Sequence, residues 1–372
     1  MLADALPRHS ARRWGTRRIA TTLAVATASV LVAACGSTGS GGGATAKPQP
    51  DPSTVNLGYL VNFTHAPALI GVTQGYFQKA MPSGTTVKTT TFTSGTPESE
   101  ALLGGTLDAA FVGPGPAINA FIKTKGKVLI IAGTASGGAG LVVSPAIASG
   151  SFPSDLAGKT LSTPSLGNTQ DVALRTWLAT KGLSSNASGG GQVNIDTSSG
   201  NSVSLQNFEA GKIAGGWVPE PYESEFIIQG HGTLAVDEAS LWPGGQFPTT
   251  VLVVTQNLLQ NHPDIVTDLL KGLVQSVNWI NSNESSAPDA VNNALASTTG
   301  GKALKSSVLT SAWTHLSFTL DPFAADLQTN ANEEQKLGFT SSSNLKGILD
   351  LGPLNAILKA AGDPTVSAGS LG

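Results

Sequence analysis

The stretch T-P-S-L-G-N-T-Q-D-V-A-L-R-T-W-L-A-T-K-G at residues 163–182 predicts a loop that turns directly into a helix. Asn168 or Thr169 can cap the first free backbone N–H groups of that helix. Asp171 precedes Arg175 by four residues, which is the spacing of a helical ion pair. Because unpaired N–H groups and the positive dipole end attract anions, this helix start is a candidate receptor for a small oxyanion.

Short apolar strands alternate with helices on both sides of this junction. Strands are predicted at residues 54–60, 85–92, 107–112, 127–133, 155–161, 192–196, 213–218, 234–236 and 250–254. From residue 257 onward the pattern becomes helical, and the 3.6-residue apolar period is clearest over 263–281. Strands that alternate with helices predict an α/β fold with mixed, mostly parallel sheets and helices on both faces.

The strand-and-helix pattern restarts after residue 142, which predicts that the middle block forms a separate lobe. The predicted first lobe comprises residues 54–142 and 250–372, and the second lobe comprises 143–249. The chain is expected to cross between the lobes at 140–144 and 250–255, which form a hinge of two crossing strands. In such folds the ligand binds outside the carboxyl ends of the strands, where loops meet helix starts.

Residues 1–34 are predicted to be a lipoprotein signal peptide. An arginine-rich start precedes an apolar run at 19–34, and the sequence V-A-A-C ends at Cys35, the only cysteine. These residues resemble a bacterial lipobox, in which the cysteine becomes the lipidated N-terminus; an ordinary secretory signal is the alternative. Small and polar residues then predict a flexible tether over 35–53. The protein is expected outside the cytoplasm, held at the membrane through the lipid anchor only.

The charge distribution argues against a nucleic-acid partner. The whole chain has a formal charge of −3. Residues 1–34 contain one aspartate and five arginines, a net charge of +4, so the remainder carries −7. A folded part with this negative charge lacks the basic surface that binds phosphate backbones.

Enzyme signatures are incomplete in this chain. The G-K-T sequence at 158–160 lacks the earlier glycine of a phosphate loop, because Pro153 stands in its position. The G-P-G-P sequence at 113–116 lacks the third glycine of a dinucleotide fingerprint, because Ile118 replaces it. No two histidines after the signal have the close spacing of a helical metal pair. We therefore predict no catalytic residues, no cofactor and no metal site.

Polar loops of small residues follow the predicted strands and are the candidate binding loops. They lie at 62–67, 93–98, 113–119, 166–170 and 217–222. These loops contain hydroxyl groups, amides, glycines and aromatic rings, but no arginine or lysine. Neutral N–H and O–H donors at helix starts can hold a buried monoanion, whereas a multiply charged ligand would call for basic residues.

Aromatic residues near these loops offer contacts to an apolar part of a ligand. Tyr59, Phe63, Trp217 and Tyr222 are candidates for this role, and burial in the core is the alternative for each of them. Glu220 lies between two prolines and could bind an amine, but a surface position is favoured for its side chain.

The ordered series of motifs from about residue 55 to 280 resembles a known family, the substrate-binding proteins of bacterial ABC importers in the aliphatic sulfonate, taurine and nitrate group. The matching pieces are H-A-P at 65–67, Q-G-Y-F at 74–77, S-G at 94–95, L-L-G-G-T-L-D at 102–108, G-P-G-P at 113–116, D-L-A-G-K at 155–159, L-G-N-T-Q-D at 166–171 and P-E-P-Y at 219–222. The piece at 166–171 is the most distinctive.

This resemblance implies a two-lobed venus-flytrap protein with a periplasmic-binding-protein-like fold. Such a protein closes on its ligand and delivers it to a membrane permease driven by an ATPase. It implies ligand contacts from His65, Ala66, Ser94, Gly95, Thr96, Gly113, Pro114, Gly115, Pro116, Asn168, Thr169, Gln170, Glu220 and Tyr222. A related pyrimidine-forming enzyme branch uses a cysteine cluster, which this chain lacks.

The sequence thus favours a monomeric, lipid-anchored solute-binding protein for a small organic anion, with an aliphatic sulfonate as the preferred ligand. Its expected partners are the permease and ATPase subunits of an ABC importer. A binding protein for nitrate, bicarbonate or a pyrimidine-type heterocycle is the first alternative. A secreted lipoprotein enzyme is the alternative from a different class.

Overall fold

A computed structural model describes residues 51–187 and 190–372. The predicted signal peptide, Cys35 and the part of the tether up to residue 50 lie outside the described residues. None of the helices in the described ranges combines the length and the apolar character that a membrane crossing requires.

The strands form two separate sheets. In chain order they are β1 (Thr54–Leu60), β2 (Thr86–Phe92), β3 (Ala109–Val112), β4 (Val128–Gly137), β5 (Ala139–Val143), β6 (Thr160–Ser162), β7 (Asn194–Asp196), β8 (Gly215–Pro219), β9 (Thr233–Asp237), β10 (Pro248–Thr255) and β11 (Leu316–Ser317). The first sheet has the order β11-β4-β10-β3-β1-β2, and the second has the order β7-β6-β8-β5-β9. The alternating pattern located nine of these strands, β5 overlaps the crossing strand predicted at 140–144, and β11 was not predicted.

The sheets are mixed, as predicted, but not mostly parallel. In the first sheet β1 pairs in parallel with β2 and β3, whereas β10 and β11 pair antiparallel to their neighbours. In the second sheet β6 pairs in parallel with β7 and β8, and β5 is antiparallel to both of its neighbours. The reason lies in the crossings, because a strand that enters from the other lobe runs opposite to the strands beside it.

Helices cover both sheets. They are α1 (Ala66–Thr73), α2 (Tyr76–Ala80), α3 (Gly95–Leu103), α4 (Pro114–Thr124), α5 (Pro145–Ala148), α6 (Thr169–Thr180), α7 (Gly200–Glu209), α8 (Tyr222–Ile228), α9 (Gln256–Asn261), α10 (Pro263–Ser282), α11 (Ala287–Thr299), α12 (Ser306–Thr314), α13 (Ala324–Leu337) and α14 (Gly352–Ala361). The 3.6-residue period correctly predicted the longest of them, α10.

Each sheet is buried on both faces, and the side chains of β10, which point alternately to the two faces, illustrate this. Leu252 and Val254 pack into a cluster with α1 and α10, whereas Val251 and Val253 pack into a second cluster with α4 and α13. The second sheet has the same plan, since one of its faces packs on α6 and the other on α7 and α8. Burial of two apolar faces supplies the main stabilising free energy of each lobe.

The chain passes from the first sheet to the second at Gly138. Both Gly137 and Gly138 have a positive φ, and a side chain at Gly137 would lie only 2.4 Å from the carbonyl oxygen of His315. The first crossing therefore precedes the predicted segment 140–144, and β5 lies wholly in the second sheet. The return falls between β9 and β10, ahead of the predicted 250–255, because β10 belongs entirely to the first sheet.

The helical tail packs mainly on the first sheet, as the sequence predicted. Residues of α10, α11, α12 and α14 share one core cluster with β1 and β10. Two helices of the tail also contact the second lobe, since α12 packs on α8 and α13 packs on α6. The tail therefore takes part in the junction between the lobes.

Candidate functional site

The carboxyl ends of strands from both sheets meet around one cavity. Strands β1, β2 and β3 contribute the segments that follow them, and β6 and β8 approach from the second lobe. We call this space the interlobe cavity. Its lining residues are Leu60, Asn62, Thr64, His65, Thr93, Ser94, Gly95, Gly113, Pro116, Pro164, Asn168, Thr169, Gln170, Asn201, Pro219 and Thr249. This is the position at which ligands bind in open α/β sheets.

The interlobe cavity is narrow. Its volume is about 20 Å³, which is room for about one water molecule. Binding pockets for drug-sized ligands have volumes of about 300–1,000 Å³. In this arrangement of the lobes the cavity suits a very small polyatomic ligand, and a larger ligand would require the lobes to separate.

Direct contacts hold the lobes together beside the cavity. The Thr96 hydroxyl donates to the carbonyl oxygen of Leu166 at 3.0 Å and lies 3.0 Å from the Ser165 hydroxyl. The Gly115 N–H donates to Thr169 Oγ1 at 3.3 Å. A side chain at Gly113 would lie 2.4 Å from that same oxygen, so glycine is required for the close approach.

Helix α6 presents its start to the cavity. The Asn168 side chain accepts a hydrogen bond from the Asp171 N–H at 3.0 Å, so Asn168 is the N-cap. The Asp171 carboxylate accepts from the Gly167 N–H at 2.8 Å and from Arg175 Nε at 3.0 Å, which confirms the predicted i,i+4 pair. Helix geometry leaves the N–H group of Thr169 without an intrahelical acceptor, and this residue lines the cavity.

His65 is a neutral imidazole in this site. It is fully buried, and burial lowers its pKa to about 3. Its Nε2 lies 2.9 Å from the carbonyl oxygen of Phe111, so the ring proton resides on Nε2, where it can donate. Nδ1 is then an acceptor, and the Thr64 hydroxyl, 3.0 Å away, can donate to it. The Asn62 side-chain oxygen lies 2.9 Å from Nδ1 but is itself an acceptor. These contacts fix the ring and orient Asn62 and Thr64 at the cavity.

No lining residue carries a formal charge in the described part of the chain, because the set contains no Lys, Arg, Asp or Glu. Two carboxyl groups lie buried in the first lobe. Burial raises the pKa of Glu98 and of Glu334 well above the usual value, and neither carboxyl has a hydrogen-bond partner among the described residues. Burial therefore favours the neutral form of both groups. The polar groups that the cavity presents are therefore neutral side chains and helix ends.

The structure places eight of the predicted ligand contacts in the interlobe cavity. They are His65, Ser94, Gly95, Gly113, Pro116, Asn168, Thr169 and Gln170. The remaining predicted contacts Ala66, Thr96, Pro114, Gly115, Trp217, Glu220 and Tyr222 do not line it. Thr96 and Gly115 instead make the contacts between the lobes described above, and Ala66 and Pro114 are buried in the first turns of α1 and α4.

Trp217, Glu220 and Tyr222 have other surroundings. Trp217 is fully buried in the core of the second lobe and donates from Nε1 to Glu238 at 2.7 Å. The favoured surface position of Glu220 is wrong, because its side chain is fully buried and accepts hydrogen bonds from the N–H and hydroxyl groups of Ser224. Tyr222 lines a neighbouring crevice with Asn201, beside the interlobe cavity.

Asn201 and Thr249 line the cavity and lay outside every predicted loop. Asn201 stands in the first turn of α7, and Thr249 lies near the start of β10. The only available signal for Asn201 was its position between the predicted strands at 192–196 and 213–218. No feature of the sequence marked Thr249 as a lining residue, since a threonine beside a buried strand is common.

Glu220 also belongs to a group of side chains that could hold a metal ion. Its carboxylate lies 2.7 Å from His315 Nδ1, and the Glu223 carboxylate lies 3.2 Å from the same nitrogen. Among the described residues, these three side chains place donor atoms within 4.8 Å of one another. The hydrogen bond to Glu220 raises the pKa of His315, and the three groups connect the segment 220–223 to the tail.

The two sheets and the cavity between their strand ends define a two-lobed protein with the periplasmic-binding-protein fold. The chain belongs to the NMT1-like family, which matches residues 48–294. No curated protein sequence matches the chain.

Solved structures of binding proteins share the fold. The alkanesulfonate-binding protein SsuA from Xanthomonas axonopodis pv. citri, bound to MOPS, is 16% identical, with a TM-score of 0.64 over 79% of this chain and 96% of that chain. The periplasmic nitrate-binding protein NrtA from Synechocystis PCC 6803 is 15% identical, with a TM-score of 0.65 over 84% of this chain and 89% of that chain. The periplasmic aliphatic sulphonate binding protein SsuA from Escherichia coli is 16% identical, with a TM-score of 0.61 over 80% and 91% of the two chains.

Proposed function

We propose that this chain is the extracytoplasmic solute-binding component of an ABC importer and captures a small monoanion of the aliphatic sulfonate class. The observation that carries the proposal is the interlobe cavity, where a capped helix start and neutral donors meet with no charged side chain among the lining residues. Such a site suits a single negative charge shared over several oxygens. The sulfonate-binding and nitrate-binding structures that share the fold support the same class of ligand.

Nitrate or bicarbonate is the second candidate, and the volume of the cavity favours it. A space of about 20 Å³ is closer to a small planar oxyanion than to a sulfonate with an alkyl chain. A pyrimidine-type heterocycle is the least favoured of the ligands considered, because it needs the most room.

A titration panel tests the ligand class. We expect isothermal titration calorimetry to detect binding of methanesulfonate, taurine, nitrate or bicarbonate. It should detect no binding of dianionic sulfate. The Ser94→Ala variant removes a buried hydroxyl from the cavity lining and should weaken binding, whereas Ser149→Ala alters an exposed hydroxyl and should not. Binding of nitrate without any sulfonate would replace the first candidate by the second, and turnover of any compound would contradict a binding protein.

The anchor and the importer form a separate part of the proposal. Cys35 follows V-A-A at the end of the apolar run, which supports lipidation of its thiol. We expect the Cys35→Ser variant to leave the membrane fraction while keeping its ligand affinity. We also expect the ligand to stimulate ATP hydrolysis by the partner permease–ATPase complex only when the binding protein is present. A Cys35→Ser variant that remains in the membrane fraction would contradict the lipid anchor.

A further inference from the structure

A second and larger cavity lies on the far side of α6. Its volume is about 490 Å³, which falls in the range of small-molecule sites. Helix α6, the segment 238–243 and helix α13 line it, so it lies where the second lobe meets the tail. Its lining residues are Ala173, Thr176, Trp177, Thr180, Lys181, Glu238, Leu241, Trp242, Pro243, Ala325, Asp326, Thr329 and Glu333. We call it the aromatic cavity.

Two tryptophans form fixed walls of this cavity. Trp177 stacks on Phe152 with ring centroids 5.6 Å apart, and Trp242 stacks on Phe247 at 5.8 Å with nearly parallel rings. Leu241 beside them is 50% exposed and is one of the few large apolar side chains at the described surface. Because the rings are held from behind, the walls exist before any ligand arrives.

The ionisable groups that line the aromatic cavity are mostly acidic. Glu238, Asp326 and Glu333 contribute three carboxyl groups, against the single cation Lys181. Nearby, Lys336 acts on Glu333, whereas Asp321 and Asp237 add further negative charge beside Asp326 and Glu238. With these neighbours included, carboxyl groups outnumber lysines by five to two. Charge complementarity therefore favours a cation.

One cation already uses the aromatic wall. The Lys181 ammonium lies 5.7 Å from the centroid of the Trp177 ring, within the range of a cation–π contact. Lys181 belongs to the end of α6 and reaches this ring from one edge of the cavity. The Trp242 ring and the Leu241 side chain remain for an incoming apolar group.

Burial of the carboxyl groups is consistent with a cationic ligand. Glu238 is only 2% exposed, and burial raises its pKa to about 8. Burial likewise raises the pKa of Glu333 to about 7. A positive charge beside them would favour their ionised forms, and perturbed carboxyl groups around a cavity are typical of functional sites.

We infer that the aromatic cavity binds an organic monocation, an ammonium group carried on an apolar or aromatic body. The ammonium group lies among Glu238, Asp326 and Glu333, and the apolar body lies against Trp242 and Leu241. This inference is independent of the ligand in the interlobe cavity. Because the walls belong to α6 of the second lobe and α13 of the tail, the bound cation also connects the two parts.

The test compares three probes that share one skeleton and differ in charge. Phenethylamine is the cation, phenethyl alcohol is the neutral probe and 3-phenylpropanoate is the anion. Isothermal titration calorimetry with the folded protein at pH 8 should show binding of phenethylamine and at least about tenfold weaker binding of the other two. No binding of phenethylamine at millimolar concentration, or equal binding of amine and alcohol, would overturn the inference.

Variants locate the site. Trp242→Ala should weaken phenethylamine binding by about fivefold, and Glu333→Gln should weaken it by about threefold. Lys181→Gln removes the competing cation and should strengthen binding by about threefold. Trp279→Ala, which alters a different surface cavity, is the matched control and should have no effect. Equal losses in Trp242→Ala and Trp279→Ala, with both variants folded by circular dichroism, would assign the binding to non-specific contacts.

Discussion

The interlobe cavity and the aromatic cavity lie on two sides of the same helix, α6, and have opposite chemistry. The first receives the start of the helix, has a volume of about 20 Å³ and is lined without any charged side chain among the described residues. The second receives the side and end of the helix, has a volume of about 490 Å³ and is lined by three carboxyl groups and one lysine. The start of a helix presents backbone N–H donors to an anion, whereas the side of a helix presents only the functional groups of its side chains.

Adjacent residues of α13 show how closely the two environments lie. Glu333 lines the aromatic cavity, whereas Glu334 is buried with one carboxyl oxygen 3.3 Å from the position that a side chain at Gly115 would occupy. Successive residues of a helix point in different directions, so one step along the chain separates a carboxyl group that lines the aromatic cavity from one packed behind the interlobe cavity. Both carboxyl groups have a raised pKa through burial, but only Glu333 is partly open to solvent.

The largest expected effect is a loss of folding stability in acid, which His65 at the interlobe cavity causes. Burial holds its folded pKa at about 3, below the ordinary 6.5, so between these values only the unfolded chain takes up the proton. The free energy of unfolding should therefore fall as pH decreases from 6.5, by about 1.4 kcal/mol per pH unit and roughly 5 kcal/mol in total. Above pH 6.5 this contribution is constant.

Urea unfolding of the wild type and of His65→Gln between pH 4.5 and 7 measures that slope. The difference between the two proteins isolates His65, because the buried carboxyl groups, whose raised pKa values act in the opposite direction, are common to both. Parallel stability curves would show that the folded His65 accepts a proton, and the interlobe cavity would then be cationic in acid.

The next effect concerns Asp171, which joins the loop before α6 to the helix. Asp171→Ala leaves the Arg175 side chain buried without its carboxylate and frees the Gly167 N–H. We expect a loss of about 3–5 kcal/mol in the free energy of unfolding. Oxyanion affinity should fall more than phenethylamine affinity, because Asp171 positions the cavity loop. The exposed pair of Asp268 and Lys271 is the control, and Asp268→Ala should cost at most about 1 kcal/mol.

A smaller effect is expected from the N-cap of α6. Asn168→Ala removes the acceptor for the Asp171 N–H and should lower the free energy of unfolding by about 1 kcal/mol. Asn168→Ser and Asn168→Asp both keep a cap, so thermal melting should be close to that of the wild type. Calorimetry should nevertheless show that Asn168→Asp no longer binds the oxyanion, since it places a negative charge in the interlobe cavity. Unchanged affinity in Asn168→Asp would show that the ligand does not lie at this helix start.

The smallest effect is expected from Glu334. Burial raises its pKa well above the usual value, which favours the neutral carboxyl group. Glu334→Gln should change the affinity for the best oxyanion of the panel by less than about twofold. The same substitution at the neighbouring Glu333 should leave oxyanion binding unchanged and weaken the binding of phenethylamine. A tenfold gain in oxyanion affinity for Glu334→Gln would mean that Glu334 is ionised and repels the ligand.

Features with local signals were predicted well. The cap at Asn168 and the pair of Asp171 and Arg175 depend on neighbours within four residues, so the sequence contains both partners side by side. The alternation of strands and helices likewise depends on local periodicity, and most strand bounds shift by only a few residues. Eight of the predicted ligand contacts line the interlobe cavity because parallel strands bring the loops after them to one edge of a sheet.

Features that depend on distant partners could not be predicted in this way. Glu220 looked exposed between two prolines, but it is buried against His315, which lies 95 positions further along the chain. The crossing between the sheets occurs at Gly138, where glycine permits a close approach to the tail rather than completing a strand pattern. Trp177 and Trp242 showed no relation in the sequence, and only the packing of the segment 238–243 near α6 unites them around a cavity.

The sequence by itself determined the local elements of this protein: the capped start of α6, the alternation that makes two α/β lobes, and the small polar loops at strand ends. Their physical basis is short-range, since helix caps, ion pairs at i,i+4 and apolar periodicity act between near neighbours. Only the tertiary structure decided which loops meet, how little space the lobes leave between them, and that a second cavity of opposite charge lies behind the same helix. Those properties follow from the packing of the tail against the second lobe, because the volume and charge of a cavity depend on side chains that are far apart in the chain.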